Sequence, residues 1–402
     1  MGLLDRLGLE SSWKRFLEYK ALHHLPKKAE RELVSFIENR DYLPVVERIR
    51  SGERFPLPKK AVISKQGSKK KRTVYTYPKS ENLVLKLLTH LLLREYDGLF
   101  SSGLYSFRPG RSAKAAVERL TARKGVGSLY SYKVDISNYF NSIDVSLLLP
   151  QLRTVMPEDP ELYAFLSSLL MESCVLERGQ EVAEQKGIMA GTPLSSFYAN
   201  LFLSELDRCF AEKHVLYCRY SDDIIVFAET RAELEAHIET IKAFLKARRL
   251  EINPDKEVYS APGEKWTFLG FSYVNGVVDI APASVKKLKQ KMRRKTRALA
   301  RWQKRNGLDG TKAAKGFIRA FNRKLFEYSD EHDLTWARWF FPVITTAESL
   351  RELDRYAEDC IRCLISTKRT KARFSVRYED LKALGFRSLV HEYYAALPAC
   401  EA

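Results

Sequence analysis

Tyr220-Ser221-Asp222-Asp223 sets two adjacent carboxylates between two apolar runs, Val215-Leu216-Tyr217-Cys218 before and Ile224-Ile225-Val226-Phe227 after. Such a pattern predicts a β-hairpin with both acids at its tight bend. Burying neighbouring carboxylates is costly unless a cation compensates. Hard oxygen donors on a rigid hairpin suit magnesium, and a pair of such ions serves phosphoryl and nucleotidyl transfer. Taken alone, the four residues read equally well as a solvated turn. Upstream, Tyr132-Lys133-Val134-Asp135 is a β-branched and aromatic run that reads as a strand ending in a third acid. Three strand-end carboxylates, Asp135, Asp222 and Asp223, can make one metal site.

Between these acids lies the Gly/Pro/Ser-rich segment Gly187-Ile188-Met189-Ala190-Gly191-Thr192-Pro193-Leu194-Ser195-Ser196, which runs into a helically spaced stretch from Phe197 to Asp207. The order Asp-x-x-x-Tyr-Phe from Asp135, then Gly-x-x-x-Gly-x-Pro-x-Ser with Ala199-Asn200-Leu201, then Tyr-x-Asp-Asp, resembles bacterial reverse transcriptases of the retron and group II intron type. Further matches extend the resemblance over about residues 60 to 280. Ser106-Phe107-Arg108-Pro109-Gly110-Arg111-Ser112 is similar to the family's fingers motif, with Ser112 placed to cap a helix from Ala113. Asn253-Pro254-Asp255-Lys256 resembles the segment that carries a lysine near the nucleotide phosphates, and Phe268-Leu269-Gly270-Phe271 resembles the primer grip.

The resemblance implies an RNA-directed DNA polymerase: an α+β right-hand fold with fingers, a palm of antiparallel sheet backed by helices, and a helical basic thumb. Asp135, Asp222 and Asp223 are then the catalytic acids and the ligands of two magnesium ions, or manganese in their place, with the Ile136 backbone as a further ligand. Asp135 and Asp222 are expected to do most of the coordination. Lys71, Arg72, Gly191, Pro193 and Lys256 are expected to meet the nucleotide. Phe140, five residues after Asp135, is expected beneath C2′ of the sugar, where it leaves no room for a 2′-hydroxyl. Tyr220, Ser221, Arg108, Arg111, Phe268, Leu269 and Gly270 are expected on the primer and template.

Charge points the same way. Sixty-eight Lys and Arg against fifty Asp and Glu leave a formal charge of +18, which suits a polyanionic partner. Residues 59–72 hold seven basic residues and no acid, and residues 284–330 hold sixteen basic residues against three acids. Trp302, Phe317, Phe321, Phe326 and Tyr328 interleave the second block, which predicts helices packed on one side and basic on the other.

The positioning elements follow from periodicity. Helices are expected near residues 10–50 and from Glu81 to Tyr96, with a basic hairpin or loop at 59–77 between them. Helical segments are expected over 145–172, and residues 231–250 carry Leu234, Ile238, Ile241, Phe244 and Leu245 at helical intervals. Trp266–Val274 and Val277–Ala281 read as two strands around Asn275-Gly276, a type I′ hairpin signal. The expected division is 1–130 for N-terminal helices and fingers, 131–282 for the palm with fingers segments interleaved at about 145–185, and 283–402 for the thumb and C-terminal extension.

No apolar run approaches the roughly twenty residues of a membrane span. The N-terminus has no cleavable apolar core and the six cysteines lack a disulfide framework, so a reducing cytoplasm is the expected compartment. Cys360-x-x-Cys363 reads as one helical face rather than half of a zinc site. No ribonuclease H, integrase or HNH-type tail is expected after the thumb. Segments 338–342 and 377–390 resemble the C-terminal region of stand-alone bacterial reverse transcriptases of anti-phage defence, which act with a cognate non-coding RNA. The expected partners are therefore an RNA template, a DNA primer or product and deoxynucleotides, with no membrane. Retron-type synthesis, template-independent or protein-primed nucleotidyl transfer and a non-catalytic RNA-binding scaffold remain open on these residues.

Overall fold

The computed structural model describes residues 2–23, 25–64, 71–184, 187–327, 335–368 and 370–397. Lys65, Lys69 and Lys70 of the first basic block, Tyr328 and Asp330 of the second, and Cys400 lie outside the described residues. The chain divides into two compact units, Met1–Pro262 and Gly263–Ala402. That division falls twenty residues before the expected palm–thumb boundary at 282. The strands over 266–280 belong to the second unit.

The first unit opens with helices Leu3–Leu7, Glu10–Ala21, Lys27–Glu38 and Leu43–Ser51, packed around Trp13 and on the strongly apolar helix Lys79–Glu95. Strands β1 (Lys59–Ser64) and β2 (Lys71–Thr76) form the expected basic hairpin. Next come helix Ala113–Ala122, β3 (Tyr130–Asp135), helices Val145–Val155 and Pro160–Met171, β4 (Cys174–Glu177) and β5 (Gln180–Ala183). Ser112 caps the first of these helices through the Ala115 N–H at 3.1 Å, as its sequence position predicts. The β4–β5 hairpin has no strong turn signal and was not expected. It extends the β1–β2 hairpin into a sheet of order β2-β1-β4-β5, with one parallel pairing between β1 and β4.

The unit's central sheet adds β6 (Tyr217–Tyr220), β7 (Asp223–Ala228) and β8 (Val258–Ser260) in the order β6-β7-β3-β8, antiparallel throughout. Helix Arg231–Ala247 starts on a capping box between Thr230 and Glu233 and buries Leu234, Ile238, Ile241 and Leu245 against β3 and β7. Residues 224–228 of β7 are all buried, so β7 is the hydrophobic spine of the sheet. The order β3, helices, β6, β7, helix, β8 is the βαββαβ arrangement that the periodicity predicts.

The second unit starts with a three-stranded meander, β9 (Trp266–Phe268), β10 (Phe271–Val274) and β11 (Val277–Ile280). Residues 266–274 therefore make two strands rather than the single one expected. Leu269 and Gly270, both at positive φ, turn the chain, and Asn275-Gly276 do the same at the predicted site. Helices Pro282–Arg305, Gly310–Leu325 and Glu348–Ser366 pack on one another, burying Phe317, Phe321 and Leu353. Trp302 departs from that pattern and stays exposed among the basic residues.

Candidate active site

Strand register brings the three acids together. Asp135 and Asp223 are direct partners across β3 and β7, and the Ile136 N–H donates to the Asp222 carbonyl at 3.1 Å. Opposite residues of an antiparallel pair project to one face of the sheet, so Asp135 and Asp223 share a face with Lys133, whose ammonium lies 3.6 Å from Asp223. Asp222 stands in the two-residue loop before it. Burial, the charge on Asp135 and the charge on Asp223 push the Asp222 carboxyl above its ordinary range. Burial and Asp135 also push Asp223 up, and Lys133 and Lys256 oppose them. Asp135 is 4% exposed and is held by the Lys256 ammonium and, at 3.4 Å, by the Asn253 amide. Lys256, expected at the nucleotide phosphates, thus pairs with the Asp135 carboxylate.

These residues fit a divalent cation by their chemistry. Hard carboxylates crowd one another in a partly dry site, a repulsion that a cation relieves and that Lys256 now relieves in part. Among the described residues, no three His, Cys, Asp or Glu side chains are gathered closely enough to hold a metal ion as they stand.

A buried polar network that periodicity does not announce holds the hairpin bend. Arg219 and Asp207 are both fully buried and joined through two hydrogen bonds of 2.8 and 2.6 Å. Tyr217 donates to the same carboxylate at 2.8 Å. Arg219 also donates to the carbonyls of Ser221, at 3.2 Å, and Asn200, at 3.1 Å. The Ser221 N–H donates to Ser106 Oγ at 2.9 Å, and Ser106 in turn bonds the Asn200 amide. Ser221 takes φ 59°, a conformation more usual for glycine, and this network over-determines it. A charged pair split between a helix and an apolar strand carries little periodicity signal; the one available clue was an arginine inside a run of otherwise apolar residues.

The loop from Gly187 to Pro193 packs between Phe140 and β2. Ile188 N–H donates to the Phe140 carbonyl at 2.9 Å, and Tyr75 N–H donates to the Ala190 carbonyl at 2.9 Å. Gly191, at φ 99°, faces the Tyr75 backbone so closely that a Cβ would lie 3.1 Å from its carbonyl oxygen. Phe140 is half-buried, stacked edge-on with Tyr139 and Phe107. Lys71 and Arg72 are exposed at the start of β2, adjoining the undescribed residues. Arg111 lies over the Tyr105 ring at 5.1 Å. Arg108, expected on primer or template, is engaged within the protein. Its guanidinium is buried and bound to the Asp97 carboxylate, at 2.7 and 3.0 Å, and to the carbonyls of Asp97, Ser101 and Leu104. Phe268, Leu269 and Gly270 belong to the second unit, where Gly270 packs beside Ser284 and Phe340.

The family model of the reverse transcriptases (RNA-dependent DNA polymerases) matches residues 58–273, more than half of the chain. The chain belongs to that family. It is 24% identical over 211 residues to the group II intron-encoded protein LtrA of Lactococcus lactis subsp. cremoris, covering 52% of this chain and 34% of that protein. Protein YkfC of Escherichia coli K12 is 22% identical over 266 residues, 56% of this chain and 68% of its own. The retron Ec83 reverse transcriptase of Escherichia coli is 26% identical over 155 residues, 37% and 49% of the two chains. The chain thus spans about a third of the length of LtrA and half that of the retron enzyme. A solved telomerase of Candida albicans, in complex with a fragment of telomeric RNA, covers 94% of this chain and 72% of its own at 12% identity and a TM-score of 0.46.

Proposed function

We propose that the chain is an RNA-directed DNA polymerase that joins deoxynucleotides to a primer 3′-hydroxyl by magnesium-dependent nucleotidyl transfer. The observation that carries this reading is the register of β3 against β7, which sets Asp135 beside Asp223 with Asp222 in the adjoining bend. Asp135 and Asp222, supported by Asp223, would hold the metal, which when bound neutralises the triphosphate and the developing charge. The chain's own residues do the rest. Lys256, paired with Asp135, would exchange that carboxylate for a nucleotide phosphate. Phe140 closes the space beneath the sugar, and the 187–193 loop with β2 walls the nucleotide. The basic blocks at 59–72 and 284–330 are suited to phosphate backbones and read no sequence.

The template we favour is a structured non-coding RNA encoded beside the protein, in an anti-phage role inside the cytoplasm. Co-purifying the protein with its neighbouring RNA and sequencing both bound RNA and cDNA tests this. A cDNA complementary to one defined RNA supports it, and untemplated homopolymer overturns it. For the chemistry, Asp222→Ala with Asp223→Ala is expected to abolish primer extension while RNA binding persists. Residual extension at the wild-type rate would sink the assignment.

A further inference from the structure

Phe107 is held in an unusual way. Its neighbour Ser106 is fully buried in the network that binds Asn200 and Ser221, and its other neighbour, Arg108, is clamped by Asp97 and three carbonyls. Just before them, Arg219 and the 103–105 segment exchange backbone hydrogen bonds of 2.9 and 3.0 Å, tying the loop to the edge of the central sheet. Between these anchors Phe107 stays 40% exposed at φ 59°, a region bulky side chains rarely enter. A ring that merely filled the core would face inward. This one lies 6.4 Å from Phe140 at 77°, an edge-to-face geometry, and 6.5 Å from Tyr220 at 40°. Three aromatic rings therefore run from the side chain five residues past Asp135 to the one two residues before Asp222.

We propose that Phe107 is a positioning residue for sugar selection: its ring fixes the Phe140 ring where that ring excludes a 2′-hydroxyl. This rests on the reading of Phe140 as the group beneath the sugar. With Phe107 removed, Phe140 loses a lateral wall and gains room to turn toward solvent, so a ribonucleotide gains space. The polymerisation chemistry itself, which depends on the acids, is left in place.

The test is primer extension on poly(rA) with an oligo(dT) primer, comparing kcat/KM for dTTP and UTP. Phe107→Gly removes the ring and suits the positive φ, so it is expected to fold at least as well as Phe107→Ala. In both, preference for dTTP is expected to fall roughly three- to tenfold, the range an edge-to-face ring contact is worth. The kcat for dTTP should stay within about threefold of wild type, and Phe107→Tyr should restore the preference. Adding Phe107→Gly to Phe140→Ala should relax it no further, because one ring acts through the other. Relaxed selection in Phe140→Ala but wild-type selection in Phe107→Gly overturns the role of Phe107 and leaves that of Phe140 standing. Wild-type selection in Phe140→Ala removes both. Relaxation in Phe107→Gly that adds fully to that of Phe140→Ala overturns the indirect route.

Discussion

At the scale of residues, the site depends on charges placed where water is scarce. Arg219 and Asp207 show the cost most clearly, because each is fully buried and each compensates the other. Asp207→Ala would strand the guanidinium and is expected to destabilise the fold by about 3–5 kcal/mol. Urea unfolding measures that loss; a change under about 1 kcal/mol, the range of an exposed pair, would show that the bend does not depend on the pair. His90 illustrates the opposite sign of charge. Burial first, then the neighbouring cations Arg94 and Lys20, push its imidazole down to about 3. The unfolded imidazole titrates at about 6.5, so below that pH the unfolded chain takes up a proton that the folded chain refuses. The contribution of His90 is fully present above about pH 6.5 and drains away as pH falls toward 3. His90→Gln is expected to flatten the dependence of Tm on pH across that window, and an unchanged slope would refute it.

At the scale of elements, loops do the aligning. Gly187 matters for its missing side chain rather than for its φ. A Cβ there would lie 2.4 Å from the Phe140 carbonyl oxygen and 2.8 Å from the Asn141 carbonyl carbon, both backbone atoms that cannot step aside. Gly187→Ala is therefore expected to displace the loop from Phe140 at a cost of about 1–3 kcal/mol. Kinetics should show it as a raised KM for nucleotide larger than the loss in kcat. Equal kinetics and stability in the two proteins would contradict this. The same logic explains what periodicity missed. The Leu269-Gly270 turn hides inside an apolar run because Phe268 and Phe271 pair with each other across it. The β4–β5 hairpin is short and β5 is exposed throughout, with little hydrophobic alternation to announce it.

For the molecule as a whole, the proposed affinity for RNA is expected to rest on the formal charge of +18. The second unit's helix Pro282–Arg305 exposes Lys286, Lys287, Arg293, Arg294 and Lys295 while burying Val285, Leu288 and Met292. Binding to phosphates displaces counterions, so log K for RNA is expected to fall linearly with log salt. Replacing Arg294 and Lys295 with Gln should weaken binding uniformly across RNA sequences and reduce the slope by about one for each phosphate left unneutralised. Filter binding from low to moderate salt checks this. An unchanged slope would place these charges off the RNA path.

Much of the protein was legible from local order. Strands ending in Asp135 and flanking Asp222-Asp223, the helix after them, the Ser112 cap and the Asn275-Gly276 turn are each set by neighbours a few residues apart, where period and turn chemistry act. The family followed from the same order of motifs. Tertiary structure alone decided what depends on distant partners. It put Lys256 on Asp135, turned Arg108 onto Asp97, joined Arg219 to Asp207 beneath the bend, and left Phe107 exposed beside Phe140. An arginine has the same charge whether it faces a phosphate or a buried carboxylate. Only packing determines which of the two it meets.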